Sequence, residues 1–199
     1  MKKNFIIYIF IIFLLSSFNL FAEREVDIDK IKYDEKKELG YVEGEKEPFT
    51  GIAKDYYEDK SLKVEFPYKN GKKEGEWTVY TENGKVWKKY QYKNDQLDGR
   101  YTSYYAKTGA QETVGNYVNG KKSGNWNSYY SSGRKKLSGD YSNGHRQGVF
   151  TEWYENGQKK SVINYSYDIV NGKMTVYYDN GSIFYEGNMN DKDGTVKGY

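Results

Sequence analysis

The sequence predicts an all-β fold: an elongated single-layer antiparallel sheet of stacked β-hairpin repeats with a period of about 24 residues. Three observations carry that prediction. A tyrosine recurs at Tyr68, Tyr92, Tyr117, Tyr141 and Tyr165. Two glycine series step with it, Gly75/Gly99/Gly124/Gly148/Gly172 and Gly84/Gly109/Gly133/Gly157/Gly181. Between the two series lie six-residue runs rich in Trp, Tyr, Val and Thr, such as EWTVYT and KMTVYY, which read as strands. Helical spacing is sustained nowhere, and a period held this long marks a repeat architecture whose units stack on their neighbours.

The composition suits a thin sheet. Mean hydropathy is −0.98, yet the chain holds 23 Tyr, 9 Phe and 4 Trp. A disordered chain of that polarity would be poor in aromatics, so the apolar area here is carried by amphipathic rings on a large surface. Glycine, at 21 residues against 2 prolines, makes the turns.

Taken in chain order, residues 1–22 are a separate object. MKKN is cationic, FIIYIFIIFLL is an apolar run and SSFNLFA leads to Ala22. That is the layout of a secretory signal peptide cleaved near Ala22, since the run is short of the ~20 residues a spanning helix needs. Retention as an anchor is the alternative. The expected location is therefore periplasmic or extracellular. Residues 23–48 form an acidic lead-in segment, expected to be a short strand plus a flexible stretch. Residues 49–199 are the repeat array: a partial first copy from 49, full copies from 68, 92, 117, 141 and 165, and a truncated last copy from 189. Each full copy is a strand ending in ENG, SSG or DNG, where glycine supplies positive φ, then a second strand. NGKKxG is then expected to connect one hairpin to the next.

Charge excludes some partners. Residues 23–67 carry 9 basic and 14 acidic side chains, and 68–199 carry 20 and 14. A basic bias that slight does not predict nucleic-acid binding. With no cysteine, disulfides and thiolate metal sites are excluded. His145, the one histidine, occupies a slot filled by Lys72 and Lys121 in sister repeats, so a solvated turn residue is expected there. Glu82, Glu155 and Asp179 recur at hairpin turns and read as turn chemistry. DKDG at 191–194 lacks the remaining ligands of a calcium loop. No catalytic residue, metal ligand or cofactor is expected, and no enzyme.

The aromatics are the candidate site. Two residues after each first glycine stand Trp77, Tyr101, Trp126, Phe150 and Met174. Four residues on, at the same strand parity, stand Thr81, Tyr105, Tyr130, Tyr154 and Tyr178. Tyr80, Tyr104, Tyr129, Trp153 and Tyr177 have opposite parity. These rows stack between units as the core of a thin sheet. Because a single layer cannot bury both faces, one row is also expected to serve as a partner surface, with Trp77, Tyr101, Tyr105, Trp126, Tyr130, Phe150, Tyr154 and Tyr178 as the candidates. A protein partner is favoured, since Tyr, Trp and Arg make good anchors. Cell-wall glycan or a choline-like cation could also stack on the rings. The lysine pairs Lys72/Lys73 and Lys121/Lys122 would suit a membrane surface.

The pattern Y-x-N-G-K-x-x-G-x-W-x-x-Y-Y-x-x-G, as in YVNGKKSGNWNSYYSSG from Tyr117, resembles the MORN repeat and more closely its bacterial variant. Proteins made of that variant are often labelled YwqK-type antitoxins of toxin–antitoxin systems. The resemblance runs from Phe49 to Tyr199 and implies a single-layer sheet of hairpins serving as an interaction scaffold. It also implies two alternatives: an antitoxin or immunity protein that neutralises a toxin by binding it, and a binder of envelope lipid or glycan. Asp95 replaces the early glycine of the second unit, and YSYDIVNG departs from the pattern in the fifth, so local irregularity is expected at both.

Overall fold

The computed structural model describes residues 24–189. Its strands are β1 (Glu25–Asp27), β2 (Ile31–Asp34), β3 (Leu39–Val42), β4 (Gly51–Tyr56), β5 (Leu62–Lys69), β6 (Lys72–Lys73), β7 (Gly75–Tyr80), β8 (Val86–Lys93), β9 (Gln96–Tyr104) and β10 (Gln111–Val118). β11 (Lys121–Tyr129), β12 (Lys135–Ser142), β13 (His145–Trp153), β14 (Lys159–Ser166), β15 (Ile169–Tyr177) and β16 (Ile183–Met189) follow. From β4 to β16 the strands pair antiparallel in sequence order, with β1 added parallel to β4 at the edge and β6 beside β5. The predicted long sheet of stacked hairpins is what forms.

Two kinds of turn alternate along its edges. At one edge Asn70-Gly71, Asn119-Gly120 and Asn143-Gly144 have positive φ at both central positions, the type I′ geometry that matches strand twist. Asn94-Asp95 and Tyr167-Asp168 adopt the same geometry, with φ 48° and 68° and with φ 49° and 69°. The irregularity expected at those two sites is absent. At the opposite edge each loop is a turn closed by a residue in positive φ, Lys60 in the β4–β5 loop and a glycine in the others. In the first of the glycine turns, Thr81 N–H donates to Lys85 O at 2.8 Å and Gly84 N–H to Thr81 O at 2.8 Å. Gly133, Gly157 and Gly181 repeat it, and the Gly109 turn is one residue longer.

The first glycine series plays a different part from the one expected. NGKKxG is not a connector: strands β9, β11, β13 and β15 run straight through Gly99, Gly124, Gly148 and Gly172. The ladder register shifts beside each of them, so these glycines, all at positive φ, sit at β-bulges. Each also faces a repeat-marking tyrosine across the strand pair: Gly75 faces Tyr92, Gly99 Tyr117, Gly124 Tyr141 and Gly148 Tyr165. This pairing in register is why tyrosine and glycine share one period.

The lead-in segment also departs from expectation. Instead of a flexible stretch, β2 and β3 form a separate two-stranded hairpin. It lies against the first hairpin of the array, where Val42, Phe49, Ala53, Val64 and Phe66 are buried and Val26, Ile28 and Ile31 pack on them. Backbone bonds clasp the two parts: Gly40 N–H donates to Gly71 O at 2.7 Å and Gly71 N–H to Phe49 O at 2.7 Å. This is where the structure is two layers thick. The expected signal peptide and the end of the truncated last copy lie outside the described residues.

Candidate interaction face

Pairing register decides which side chains share a face. One face carries the row Ala53, Phe66, Trp77, Tyr90 and Tyr101, then Gly115, Trp126, Gly139, Phe150, Ile163 and Met174. We call it the ring face. Its neighbouring row holds the repeat-marking tyrosines. The rings form a continuous ladder, from Phe66–Trp77 at 4.3 Å between centroids, through Trp77–Tyr90 at 5.6 Å, Tyr90–Tyr101 at 5.1 Å and Tyr101–Trp126 at 5.5 Å. It continues by edge contacts to Tyr141, Phe150 and Tyr165. Offset and edge-on pairs of this kind add to the burial of their area.

The other face carries Glu65, Thr78, Lys89, Thr102, Val114, Asn127, Ser138, Thr151, Val162 and Thr175 in one row. Apart from Glu65 and Lys89, small polar and β-branched residues back the rings. Tyr80 lies on this side and donates its hydroxyl to Glu65 Oε1 at 2.6 Å; burial, followed by that carboxylate, pushes its phenol up to about 12.

The eight candidate aromatics divide into two groups. Trp77, Tyr101, Trp126 and Phe150 stand in the central row of the ring face. Trp126 and Phe150 are buried because Gly115 and Gly139 stand beneath them; a Cβ on either glycine would overlap the ring. Trp126 also donates its indole N–H to Asn116 O at 3.2 Å. Trp77 and Tyr101 are half-buried. The second group stands by the glycine-closed turns and ties each hairpin to the next. Tyr105 donates its hydroxyl to Tyr129 O at 2.8 Å, Tyr130 to Trp153 O at 2.6 Å and Tyr154 to Tyr177 O at 2.9 Å. Tyr178, the last of that series, is half exposed and packs edge-on against Phe184.

Sequence reasoning passed over the residues that stand outermost on the ring face. Tyr92, Tyr117, Tyr141 and Tyr165 served there only to mark the period, though strict recurrence of an aromatic was itself the signal. Three cations lie over them: Lys73 on Trp77 and Tyr92 at 5.5 and 5.7 Å, Lys122 on Trp126 and Tyr141 at 4.3 and 5.0 Å, and Arg146 on Tyr165 at 4.0 Å. Each belongs to the strand that follows a type I′ turn, so the period that spaces the turns spaces the charges. The same surroundings shift the titrations. Burial lowers the Lys122 ammonium and pushes the Tyr92 phenol up to about 12.

His145 is exposed, as expected of a turn residue, and has a partner. Its Nδ1 lies 2.8 Å from Asp168 Oδ2 in the next type I′ turn. Asp168 Oδ1 accepts from the Arg146 backbone N–H at 2.9 Å and its Nε at 3.1 Å. These bonds, led by the backbone one, hold the Asp168 carboxyl down at about 2. Among the described residues there is no cluster of three or more His, Cys, Asp or Glu placed to hold a metal ion.

No curated protein matches this chain significantly. The family described as the MORN repeat variant matches at four segments, residues 49–70, 73–94, 146–167 and 170–191. The starts of each adjacent pair lie one period apart, and the two hairpins between the pairs have the same strands and turns. The four matched segments are MORN-variant repeats.

Proposed function

We propose that this is an exported, non-catalytic scaffold that holds a protein partner on the ring face. The observation that carries this reading is the continuous ring ladder topped by Lys73, Lys122 and Arg146. The lead-in hairpin covers that face at the first hairpin and no other described element covers it beyond. Half-buried rings fixed in a rigid row offer contact area at little entropic cost, which is what interface anchors require. Export rests on the cationic, apolar and small-residue succession of residues 1–22. Among the described residues no helix is long and apolar enough to cross a membrane.

Trp126 and Tyr130 are poor probes of such a surface, since one fills a slot over Gly115 and the other ties two hairpins together. The informative variant reverses the ring-topping cations, Lys73→Glu/Lys122→Glu/Arg146→Glu. Mature chain immobilised in envelope extracts is expected to retain a protein that the triple variant loses, with the β-sheet circular dichroism of both intact. Equal retention by both overturns the face assignment. Pelleting of the chain with vesicles or cell-wall sacculi, with no protein retained, overturns the protein-partner reading in favour of the lipid or glycan one.

A further inference from the structure

The tyrosines that tie hairpin to hairpin form a series with one break. Tyr57, at the turn closed by Lys60, donates its hydroxyl to Tyr80 O at 2.8 Å. Tyr105, Tyr130 and Tyr154 make the same bond one period apart. The position between Tyr57 and Tyr105 is Thr81, whose hydroxyl turns into its own loop, 2.5 Å from Asn83 Oδ1 and 3.1 Å from Lys85 O. Among the described residues no side chain donates to Tyr104 O, the carbonyl that a tyrosine at 81 would reach.

The break leaves space. A hollow of about 550 Å³ opens there, lined by Tyr57, Thr81, Glu82, Trp87, Ala106 and Lys107. Trp87 is 38% exposed, and its position explains why. Two and four periods on, the residues in its place pack on the tyrosine of their own turn: Lys136 Nζ lies 5.6 Å over the Tyr130 ring, and Phe184 lies edge-on to Tyr178 at 5.1 Å. Trp87 has the largest ring at this position and no tyrosine to pack on.

We propose that the hollow at Thr81 is a binding site for a phenol, namely the tyrosine side chain of a partner protein. The ring of that tyrosine would take the place the chain's own series leaves open, edge-on to Trp87 and against Tyr57. Its hydroxyl would donate to Tyr104 O, as Tyr105 does to Tyr129 O. The walls are preformed by the hairpins on either side, so little ordering opposes entry. The site lies at the glycine-closed turn edge, and it stands or falls separately from the ring-face reading.

The test uses full mature chain labelled with ¹⁵N, the Trp87 indole signal being assigned through Trp87→Phe. N-acetyltyrosinamide is expected to shift that signal saturably, and N-acetylphenylalaninamide to bind at least about threefold more weakly for want of the hydroxyl bond. Thr81→Tyr is expected to abolish the shift and raise Tm by about 2–4 °C through the restored tie. Thr81→Phe fills the hollow by bulk and is expected to abolish the shift as well, whereas Thr81→Val keeps it. No shift of the Trp87 signal up to the solubility limit overturns the proposal, as does equal binding of the two amides or undiminished binding by Thr81→Tyr.

Discussion

Gly115 and Gly139 show how a single atom sets the depth of the ring face. Neither has positive φ; each is glycine because Trp126 or Phe150 lies directly on its backbone. The matching positions hold Tyr90 and Ile163, side chains that share the row with a neighbouring ring instead of lying beneath one. Gly115→Ala is therefore expected to cost about 1–3 kcal/mol in chemical denaturation, the range for forcing a methyl into a packed site. Ile163→Val should cost about 0.5–1.5 kcal/mol. A Gly115→Ala protein as stable as wild type would mean the indole can swing away freely. The slot was hidden in the sequence because its series reads Tyr90, Gly115, Gly139, Ile163, Gly187 and so shows no constant residue. The ring it receives was legible at Trp126, where aromatic spacing repeats. Among the turn glycines the period was visible but the role was not, since glycine at positive φ marks a bulge and a turn equally well.

The hairpin turn is the element that joins one repeat to the next, and its chemistry varies more than its shape. The Asn-Gly turns reach the preceding repeat through backbone bonds, as from Gly120 N–H to Leu97 O at 2.7 Å and from Gly144 N–H to Lys122 O at 2.9 Å, and by their asparagine N–H, as from Asn119 to Asp98 Oδ2 at 3.2 Å. Where aspartate replaces glycine the carboxylate adds a second tie. Asp95 Oδ1 accepts from Lys73 N–H at 2.8 Å, and Asp168 collects His145 and Arg146. This is why two departures from the repeat consensus leave the sheet regular, and why a consensus read alone misjudged them: the strain of non-glycine residues at positive φ is offset by bonds to a residue 22 positions back. The tie has a pH signature. The Asp168 carboxyl is held at about 2 in the folded chain against an ordinary 3.8. A depressed carboxylate stabilises the fold above its unfolded value and loses that contribution as pH falls through the folded one. Wild type is accordingly expected to lose more Tm than Asp168→Asn between about pH 4 and pH 2, and to exceed it in Tm at pH 7. Parallel Tm-against-pH curves for the two proteins would show that the carboxylate contributes nothing to the junction.

At the scale of the whole molecule, stability is passed from neighbour to neighbour, because each hairpin touches the ones beside it and, among the described residues, the sheet has no second layer over most of its length. The lead-in hairpin is the exception, and its contribution is therefore local. It covers Phe49, Ala53, Val64 and Phe66, side chains that a bare sheet would leave in water at about 1.5–3 kcal/mol for each large one. It clasps the first type I′ turn through Gly40, and β1 just before it adds to the outer edge of β4. Its acidic sequence gave little sign of this. The apolar residues Ile28, Ile31 and Val42 are spread among charges and read as exposed until the first hairpin is placed beneath them. Deleting residues 24–48 removes the cover without touching the repeats. The expected outcome is loss of amide protection in β4 and β5, fading through β7, with β11 to β15 protected as before and with new binding of a hydrophobic dye at the uncovered end. A uniform fall in protection along the chain would show that the array folds as one cooperative block seeded by the lead-in hairpin, and unchanged protection in β4 and β5 would show that the first hairpin needs no cover. The graded result is the one the neighbour-only contacts require. It would leave the ring face around Trp126, where a partner is proposed to sit, intact in the shortened protein.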